Sequence, residues 1–258
     1  MPSILFEIKN SIAFITFNRP QKFNAFNGEM ALAFLEKLDE CEKNISIRCV
    51  CLTGAGKAFC AGQDLAEVID PNGAGIERIL LEYYNPIVRS IRNLNKPVVA
   101  SVNGVAAGAG ANIALCCDVV VAAESASFIQ AFSKIGLIPD SGGTYFLPRL
   151  IGFQKASALM MLGDKISSAE SEKIGMIYKY FPDELLIAET EKIAFALSLL
   201  PTKGLAYAKH ALNKSMEQNL EQQLNTENIY QQRAAATNDL KEGIRAFVEK
   251  RKPNVEGD

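Results

Sequence analysis

Short apolar runs recur through the first half of the chain. Two near the start, ILFEIKN (4–10) and IAFITFN (12–18), have the length and composition of strands and predict a pair. Three later runs, RCVCLTG (48–54), PVVASVNG (97–104) and CDVVVAAE (117–124), are apolar without alternation, which is typical of strands buried on both faces. Strands that alternate with helical segments predict an α/β fold.

Helical periodicity appears between these runs and dominates the C-terminal part. Residues 28–44 place Met30, Phe34 and Leu38 on one helical face, and residues 75–95 have the pattern of a single amphipathic helix. From about residue 185 onward every pattern is helical, and we expect these helices to pack on the first part or on a neighbouring subunit. They are predicted at 185–200, 202–216, 219–236 and 238–253.

Composition narrows the class of protein. The 258 residues are 48% hydrophobic and 22% charged with a formal net charge of −2, so there is no electrostatic reason to expect nucleic acid or an anionic membrane as partner. No apolar run approaches the roughly 20 residues of a membrane span. The N-terminus, MPSILFEIKN, lacks the layout of a signal peptide, and we therefore expect a cytoplasmic protein.

The cysteines and the histidine exclude several chemistries. Neither Cys49 and Cys51 nor the adjacent Cys116 and Cys117 have C-x-x-C spacing, so the six cysteines are predicted to be buried reduced thiols. Cys60 alone falls in a predicted loop. The single histidine, which is His210, lies on a predicted amphipathic helix, and one histidine cannot supply a multi-histidine metal site. No metal site is predicted.

Two glycine-rich loops follow predicted strands, at residues 52–65 and 102–115. Neither matches G-x-x-x-x-G-K-[ST] or G-x-G-x-x-G, so standard nucleotide binding is not expected. Glycine lets the backbone approach a ligand, and one N–H from each loop could form an oxyanion hole. Tight turns that only pack well are the alternative, and spacing alone does not decide between them.

A carboxylate stands beside a third glycine-rich stretch, in GLIPDSGGT (136–144). Asp140 is either the N-cap of a helix that begins near Ser141 or an acid/base group directed into a pocket. The local sequence supports both interpretations.

Three motifs together carry a resemblance. FCAGQDL (59–65), NGVAAGAGA (103–111) and AFSKIGLIPDSGGTYFLPR (131–149) resemble the crotonase, or enoyl-CoA hydratase/isomerase, superfamily, and the similarity extends along essentially the whole chain. The resemblance implies an acyl-CoA thioester substrate and no cofactor beyond the coenzyme A of that substrate. It also implies a spiral of ββα units (1–195) followed by a helical oligomerisation region (196–258), assembled as a homotrimer or a dimer of trimers.

The resemblance assigns expected roles to named residues. The backbone N–H groups of Gln63 and Ala109 would bind the thioester carbonyl. Asn112, Phe132 and Tyr84 would line the acyl pocket, although Phe132 and the pair Tyr83–Tyr84 also suit ordinary core packing. The residues expected to bind coenzyme A are Gln21, Lys22, Ala25, Ala61, Asp64 and Leu65, with Phe247 and Lys250 reaching the coenzyme A of a neighbouring subunit.

The same resemblance implies isomerisation. Hydratases of this family use two glutamates, and the matching positions here are Asn112 and Phe132, neither of which can act as a general base. Asp140 matches the catalytic carboxylate of family isomerases. The motif sequences are most similar to those of isomerases that convert the CoA ester of an aromatic epoxide to an oxepin-type product.

Other members of the family remain open alternatives. The first is a Δ3-Δ2-enoyl-CoA isomerase acting on aliphatic chains, and a hydratase is the next. A dehalogenase would need an assisting His and a Trp, and this chain contains no Trp. A non-catalytic acyl-CoA binder or an RNA-binding relative is the alternative outside the enzymes.

Overall fold

The computed structural model describes residues 1–71 and 73–257, and in that part of the chain ten strands form two sheets. The strands are β1 (Ile4–Lys9), β2 (Ile12–Phe17), β3 (Cys49–Gly54), β4 (Ala58–Cys60), β5 (Val98–Val102), β6 (Val105–Ala107), β7 (Val119–Ala123), β8 (Ser127–Ile129), β9 (Lys165–Ser167) and β10 (Lys179–Phe181). The first sheet has the order β1-β2-β3-β5-β7-β10 and the second has the order β4-β6-β8-β9.

The larger sheet starts from the predicted strand pair. Strands β1 and β2 are antiparallel, with Ile4 opposite Phe17, and the turn between them has positive φ at both Asn10 and Ser11. Two such residues in succession are what a tight hairpin turn requires. The remaining neighbours in this sheet are parallel, and β5 is buried along its whole length, as its unbroken apolar sequence predicts.

Successive strands alternate between the two sheets. Strands β3, β5 and β7 enter the larger sheet, and each is followed within a few residues by β4, β6 or β8 of the smaller one. A helical segment comes after each such pair. The expected spiral of ββα units is therefore confirmed.

The helices mostly follow the predicted periodicity. The side chain of Asn27 caps α1 by accepting the N–H of Met30 at 3.1 Å. The segment 75–95 is helical but not uniform, because a π-helical stretch (Ile79–Tyr84) separates α3 from α4, and periodicity does not reveal such a change. The α-helices are α1 (Gly28–Lys43), α2 (Leu65–Ile69), α3 (Gly75–Arg78), α4 (Asn85–Asn93), α5 (Ala109–Leu115), α6 (Gly143–Ile151), α7 (Phe153–Leu162), α8 (Ser168–Lys173), α9 (Leu186–Ser198), α10 (Thr202–Ser215), α11 (Leu220–Ala235) and α12 (Asn238–Val248).

One continuous core of buried apolar side chains extends from Ile4 to Ala194. The ring of Phe17 packs edge-on against Phe26 and Phe34, with centroids 5.1 Å away in both cases. All six cysteines are free and buried, as predicted. Cys60 corrects one expectation, because it lies in β4 and not in a loop.

Helix α10 is joined to the larger sheet by a buried cluster of charges. The Lys209 ammonium lies 2.8 Å from the Asp118 carboxylate, which also pairs with Arg92 at 3.0 Å. His210 is the next residue and exchanges a hydrogen bond with Asn95 at 2.9 Å, so it is part of this attachment. No helix in the described part of the chain is long and apolar enough to cross a membrane. The division at residues 195 and 196 and the trimeric assembly stay predictions.

Candidate active site

A cavity of about 180 Å³ opens where the loops after β4 and β6 meet the segment before α6. Three polar side chains line it, those of Gln63, Tyr84 and Asp140. Most of the wall is apolar and comes from Leu65, Val68, Ile76, Ile79, Leu80, Phe132, Ile135 and Leu137. Such a lining suits a hydrocarbon group with polar chemistry confined to a few positions.

Glycines bring the two loops into direct backbone contact. Gly62 has φ of +96°, and a Cβ added there would lie 3.0 Å from the Ala107 carbonyl oxygen and 3.5 Å from the Ala109 nitrogen. At Gly110, a Cβ would come within 2.3 Å of the Cys60 carbonyl oxygen. A side chain at either position would push the loops apart, so glycine sets their separation.

Gln63 and Ala109, the two expected backbone donors, both line the cavity. Their role as donors to a substrate stays a prediction. Residue 63 forms a parallel bridge in which Phe26 donates to the Gly62 carbonyl and accepts from the Asp64 N–H, both at 2.7 Å. In extended backbone the N–H of Gln63 therefore points away from Phe26. Ala109 is the first residue of α5, where an N–H has no acceptor within the helix.

Asp140 lines the same cavity as these loops. Ser141 adopts φ of +50°, which is uncommon for a residue with a side chain, and its hydroxyl donates to the Asp140 carboxylate at 2.8 Å. Burial raises the pKa of Asp140 above its ordinary value, an effect that the Ser141 hydrogen bond partly opposes. The raised pKa favours a carboxyl group that can both accept and return a proton.

The helix-cap interpretation of Asp140 is wrong. Helix α6 begins at Gly143 with Gly142 as its N-cap, and no side chain caps it. The backbone carbonyl of Asp140 does accept the Gly143 N–H at 2.8 Å. The carboxylate caps no helix, and Asp140 lines the cavity.

Asn112 was expected to line the acyl pocket, and this expectation is wrong. It lies behind the segment that carries Asp140 and is not on the cavity wall. It is 1% exposed, its Nδ2 donates to the Asp140 carbonyl at 2.8 Å, and its Oδ1 accepts from Gln130 at 2.8 Å. A Cβ on Gly143 would lie 2.3 Å from Asn112 Nδ2, so the amide is enclosed on that side as well. Asn112 thus fixes the backbone that carries Asp140.

Phe132 and Tyr84 are both on the cavity wall. The Phe132 ring packs over Gly108, and the Tyr84 hydroxyl donates to the Gln63 side chain at 2.8 Å. Burial raises the pKa of Tyr84 well above its usual range, so the phenol stays neutral. Tyr83 does not line the cavity.

The residues expected to bind coenzyme A fall into two groups. Ala61 and Leu65 are on the cavity wall, and Gln21 and Lys22 are exposed in a short 3-10 helix. Ala25 is buried, with its carbonyl accepting from Arg19. Phe247 and Lys250 are exposed at the end of α12, outside this cavity.

Asp64 is occupied by its own loop. Its carboxylate pairs with Arg19 at 2.9 Å and caps α2 through the Ala66 N–H at 3.2 Å. Burial alone would raise the pKa of Asp64, but these hydrogen bonds and the Arg19 charge lower it overall. The binding of coenzyme A by all eight residues stays a prediction.

Three residues of the site were assigned no supporting role from the sequence, which left open whether Glu67 contacts the acyl group. Ser141 is strained beside Asp140, Gln130 supports Asn112, and Glu67 accepts from the Gln63 side chain at 2.7 Å. Gln130 and Glu67 act through contacts between separate elements, which neither periodicity nor motif spacing displays. In the described part of the chain, no group of three or more His, Cys, Asp or Glu residues is arranged to hold a metal ion.

Comparison with known proteins places this site in a family. Residues 7–258 match the model of the enoyl-CoA hydratase/isomerase family. The 1,2-epoxyphenylacetyl-CoA isomerase of Escherichia coli is 44% identical over 100% of this chain and 99% of its own length, and the trans-2-decenoyl-[acyl-carrier-protein] isomerase of Streptococcus mutans is 33% identical over 98% of both. The crystal structure of an enoyl-CoA hydratase from Bacillus anthracis superposes with a TM-score of 0.93 at 32% identity, over 99% of this chain and 100% of that one. The chain is therefore an enzyme of the enoyl-CoA hydratase/isomerase, or crotonase, family.

Proposed function

We propose that this enzyme is an acyl-CoA isomerase in which Asp140 is the acid/base group. The observation that carries the proposal is that Asp140 is the one carboxylate among the described residues on the cavity wall. Its relatives include both isomerases and hydratases, so similarity alone does not choose between the two activities. Hydration needs a base to activate water and an acid to protonate carbon, and one carboxylate cannot occupy both places at once.

A single carboxylate is sufficient for a 1,3-proton shift. The N–H groups of Gln63 and Ala109 hold the thioester carbonyl and stabilise the enolate oxygen that forms when the neighbouring carbon loses its proton. Asp140 takes that proton and returns it to another carbon of the same substrate. The shift moves only a proton and involves no net oxidation or reduction, so the proposed reaction requires no cofactor. Coenzyme A leaves as part of the isomeric product.

The preferred substrate in this proposal is 2-(1,2-epoxy-1,2-dihydrophenyl)acetyl-CoA, converted to the oxepin-CoA isomer. An apolar cavity of about 150 Å³ holds a benzene molecule, and the cavity here, at about 180 Å³, is slightly larger. The similarity to the Escherichia coli isomerase supports the same substrate. Asp140 would assist opening of the ring rather than only move a proton.

The second candidate is a Δ3-Δ2-enoyl-CoA isomerase. The apolar side chains of Ile76, Ile79 and Leu80 on the cavity wall suit an aliphatic chain as well as a ring, and the Streptococcus mutans relative is named for an aliphatic decenoyl thioester. Both reactions use the same carboxylate and the same pair of N–H donors.

The test compares wild type with Asp140→Asn on epoxyphenylacetyl-CoA, 3-hexenoyl-CoA and crotonyl-CoA. Asparagine keeps the size of the side chain and an acceptor for Ser141 but removes the base. We expect kcat for isomerisation to fall about 10²- to 10⁴-fold, with phenylacetyl-CoA binding unchanged in titration calorimetry.

Full activity in the variant would exclude Asp140 as the acid/base group. Faster hydration of crotonyl-CoA than isomerisation of either other substrate would make the protein a hydratase. The better of the two isomerisation substrates decides between the candidates.

A further inference from the structure

Both ends of the Gln63 carboxamide are hydrogen-bonded to other side chains. Its Nε2 donates to a carboxylate oxygen of Glu67 at 2.7 Å, and its Oε1 accepts the hydroxyl of Tyr84 at 2.8 Å. A carboxylate has no donor, so only the NH2 end of the amide can face Glu67. The Tyr84 hydroxyl must consequently donate to Oε1, and its proton is not available to a substrate.

Glu67 is itself anchored outside the cavity. Its other carboxylate oxygen accepts the N–H of Gly28 at 2.9 Å, and Gly28 is the first residue of α1. An N–H at the start of a helix needs an acceptor, and negative charge is favourable there. One chain of hydrogen bonds therefore joins the start of α1, helix α2 and the Gln63 side chain.

The π-helical stretch Ile79–Tyr84 supplies the last member of that chain. Tyr84 is its final residue, 1% exposed, and its ring packs against Phe26 with centroids 6.1 Å apart. Phe26 is also the residue that bridges to the backbone of Gln63. π-Helical turns are uncommon and frequently occur at functional sites. Here the turn brings the hydroxyl to a residue whose N–H faces the cavity.

We propose that Tyr84 and Glu67 are positioning residues, which clamp the Gln63 side chain so that its backbone N–H keeps its place at the thioester carbonyl. The inference rests on the proposed function, in which that N–H is one of the two donors. Donors accelerate a reaction when they are already aimed at the position where charge develops. Release of the clamp lets residue 63 rotate about its bridge, and a small displacement of a reacting group has a large effect on rate.

The experiment measures Tyr84→Phe and Glu67→Gln, with Tyr180→Phe as the matched control. Tyr180 lies in β10, packs against the core and is not on the cavity wall. We expect each clamp variant to lower kcat about tenfold with little change in KM, because a misplaced donor loses less than the roughly 100-fold that follows removal of a donor. The control should retain the wild-type kcat.

A second readout separates positioning from a general loss of structure. Phenylacetyl-CoA with a ¹³C-labelled carbonyl binds without reacting, and difference infrared spectra give the stretching frequency of the bound carbonyl. In both clamp variants this frequency should move toward its value in water, because the hydrogen bond that polarises it is weaker. Glu67→Gln is the variant less prone to unfold, since Glu67 is only half-buried.

The outcomes are distinct from those of the Asp140 test. Lowered kcat with an unshifted carbonyl frequency would overturn the inference, since Tyr84 and Glu67 would then act on something other than the donor. Unchanged kcat and frequency would also overturn it. Asp140→Asn should keep the wild-type carbonyl frequency. If the isomerase proposal fails, the infrared experiment therefore still tests whether Gln63 binds the thioester carbonyl.

Discussion

The two polar sides of the cavity are held by different kinds of contact. The side of Gln63 and Ala109 consists of backbone, fixed by a bridge and by glycines whose neighbours leave no room for a Cβ. The other polar part of the cavity is the titratable carboxyl of Asp140, whose backbone is fixed by Asn112 while the carboxylate accepts from Ser141. In the proposed reaction, the first part supplies permanent dipoles that bind charge, and the second supplies a side chain whose charge changes during turnover.

After Asp140→Asn, the largest effect should come from disturbing the backbone part of the cavity at Gly62. We expect Gly62→Ala to lower kcat/KM about 100-fold, because the new Cβ would press against the Ala107 carbonyl and the Ala109 nitrogen and displace both donors. Steady-state kinetics of isomerisation measures this. Gly152→Ala is the matched control, since Gly152 also has positive φ, at +80°, but an added Cβ meets open space. Equal losses in the two variants would mean that backbone strain, not the contact between the loops, is responsible.

The next effect concerns the support of Asp140. Asn112→Ala leaves the Asp140 carbonyl with one hydrogen bond fewer and the buried Gln130 amide without its acceptor. We expect kcat to fall about tenfold and the free energy of unfolding to fall by about 1–3 kcal/mol. Kinetics and urea unfolding measure the two quantities.

Thr190→Val is the control for this second prediction. Thr190 is equally buried and shares a hydrogen bond of 2.9 Å with Ser101, but neither residue lines the cavity. This variant should lose stability and keep kcat. If Asn112→Ala also keeps kcat, the amide stabilises the fold without positioning Asp140.

The two sides of the cavity also differ in how far the sequence predicted them. The glycine loops stood out because they follow predicted strands. The buried strands followed from unbroken apolar runs, and the C-terminal helices followed from helical periodicity. The resemblance to family isomerases added Asp140 as the candidate catalytic carboxylate. The Asn112–Gln130 pair and the contact of Glu67 with Gly28 were not predictable, because each joins residues from separate elements through polar atoms. The π-helical turn before Tyr84 was hidden for a similar reason, since an apolar face tolerates one widened turn.

The pH dependence of activity should depend on the carboxyl side alone. Burial raises the pKa of Asp140, and the proton-accepting form is the carboxylate, so kcat/KM should fall as pH decreases through a midpoint above the ordinary aspartate value. The neutral Tyr84 phenol beside it should not add a limb near neutral pH. A pH–rate profile with 3-hexenoyl-CoA measures the midpoint. A midpoint at or below the ordinary value would show that the charged carboxylate is better solvated than its burial implies.

The smallest effect should appear in stability, and its sign separates Asp140 from an ordinary surface carboxylate. Because the pKa of Asp140 is raised in the folded protein, the protonated form stabilises the fold below the unfolded pKa, and this contribution is lost as pH rises through the folded pKa. Asp140→Asn should therefore raise the melting temperature at neutral pH, by about 2 °C or less, with the gain disappearing in acid.

Asp183 gives the opposite case, since the hydrogen bonds from Ser125 lower its pKa and its charge stabilises the fold above the unfolded pKa. Asp183→Asn should consequently lower the melting temperature at neutral pH. Thermal melts of both variants at neutral and acidic pH test the pair. If Asp140→Asn melts at a lower temperature than wild type at neutral pH, the Asp140 carboxylate stabilises the fold. The protein would then not sacrifice stability to keep a carboxylate there for its chemistry.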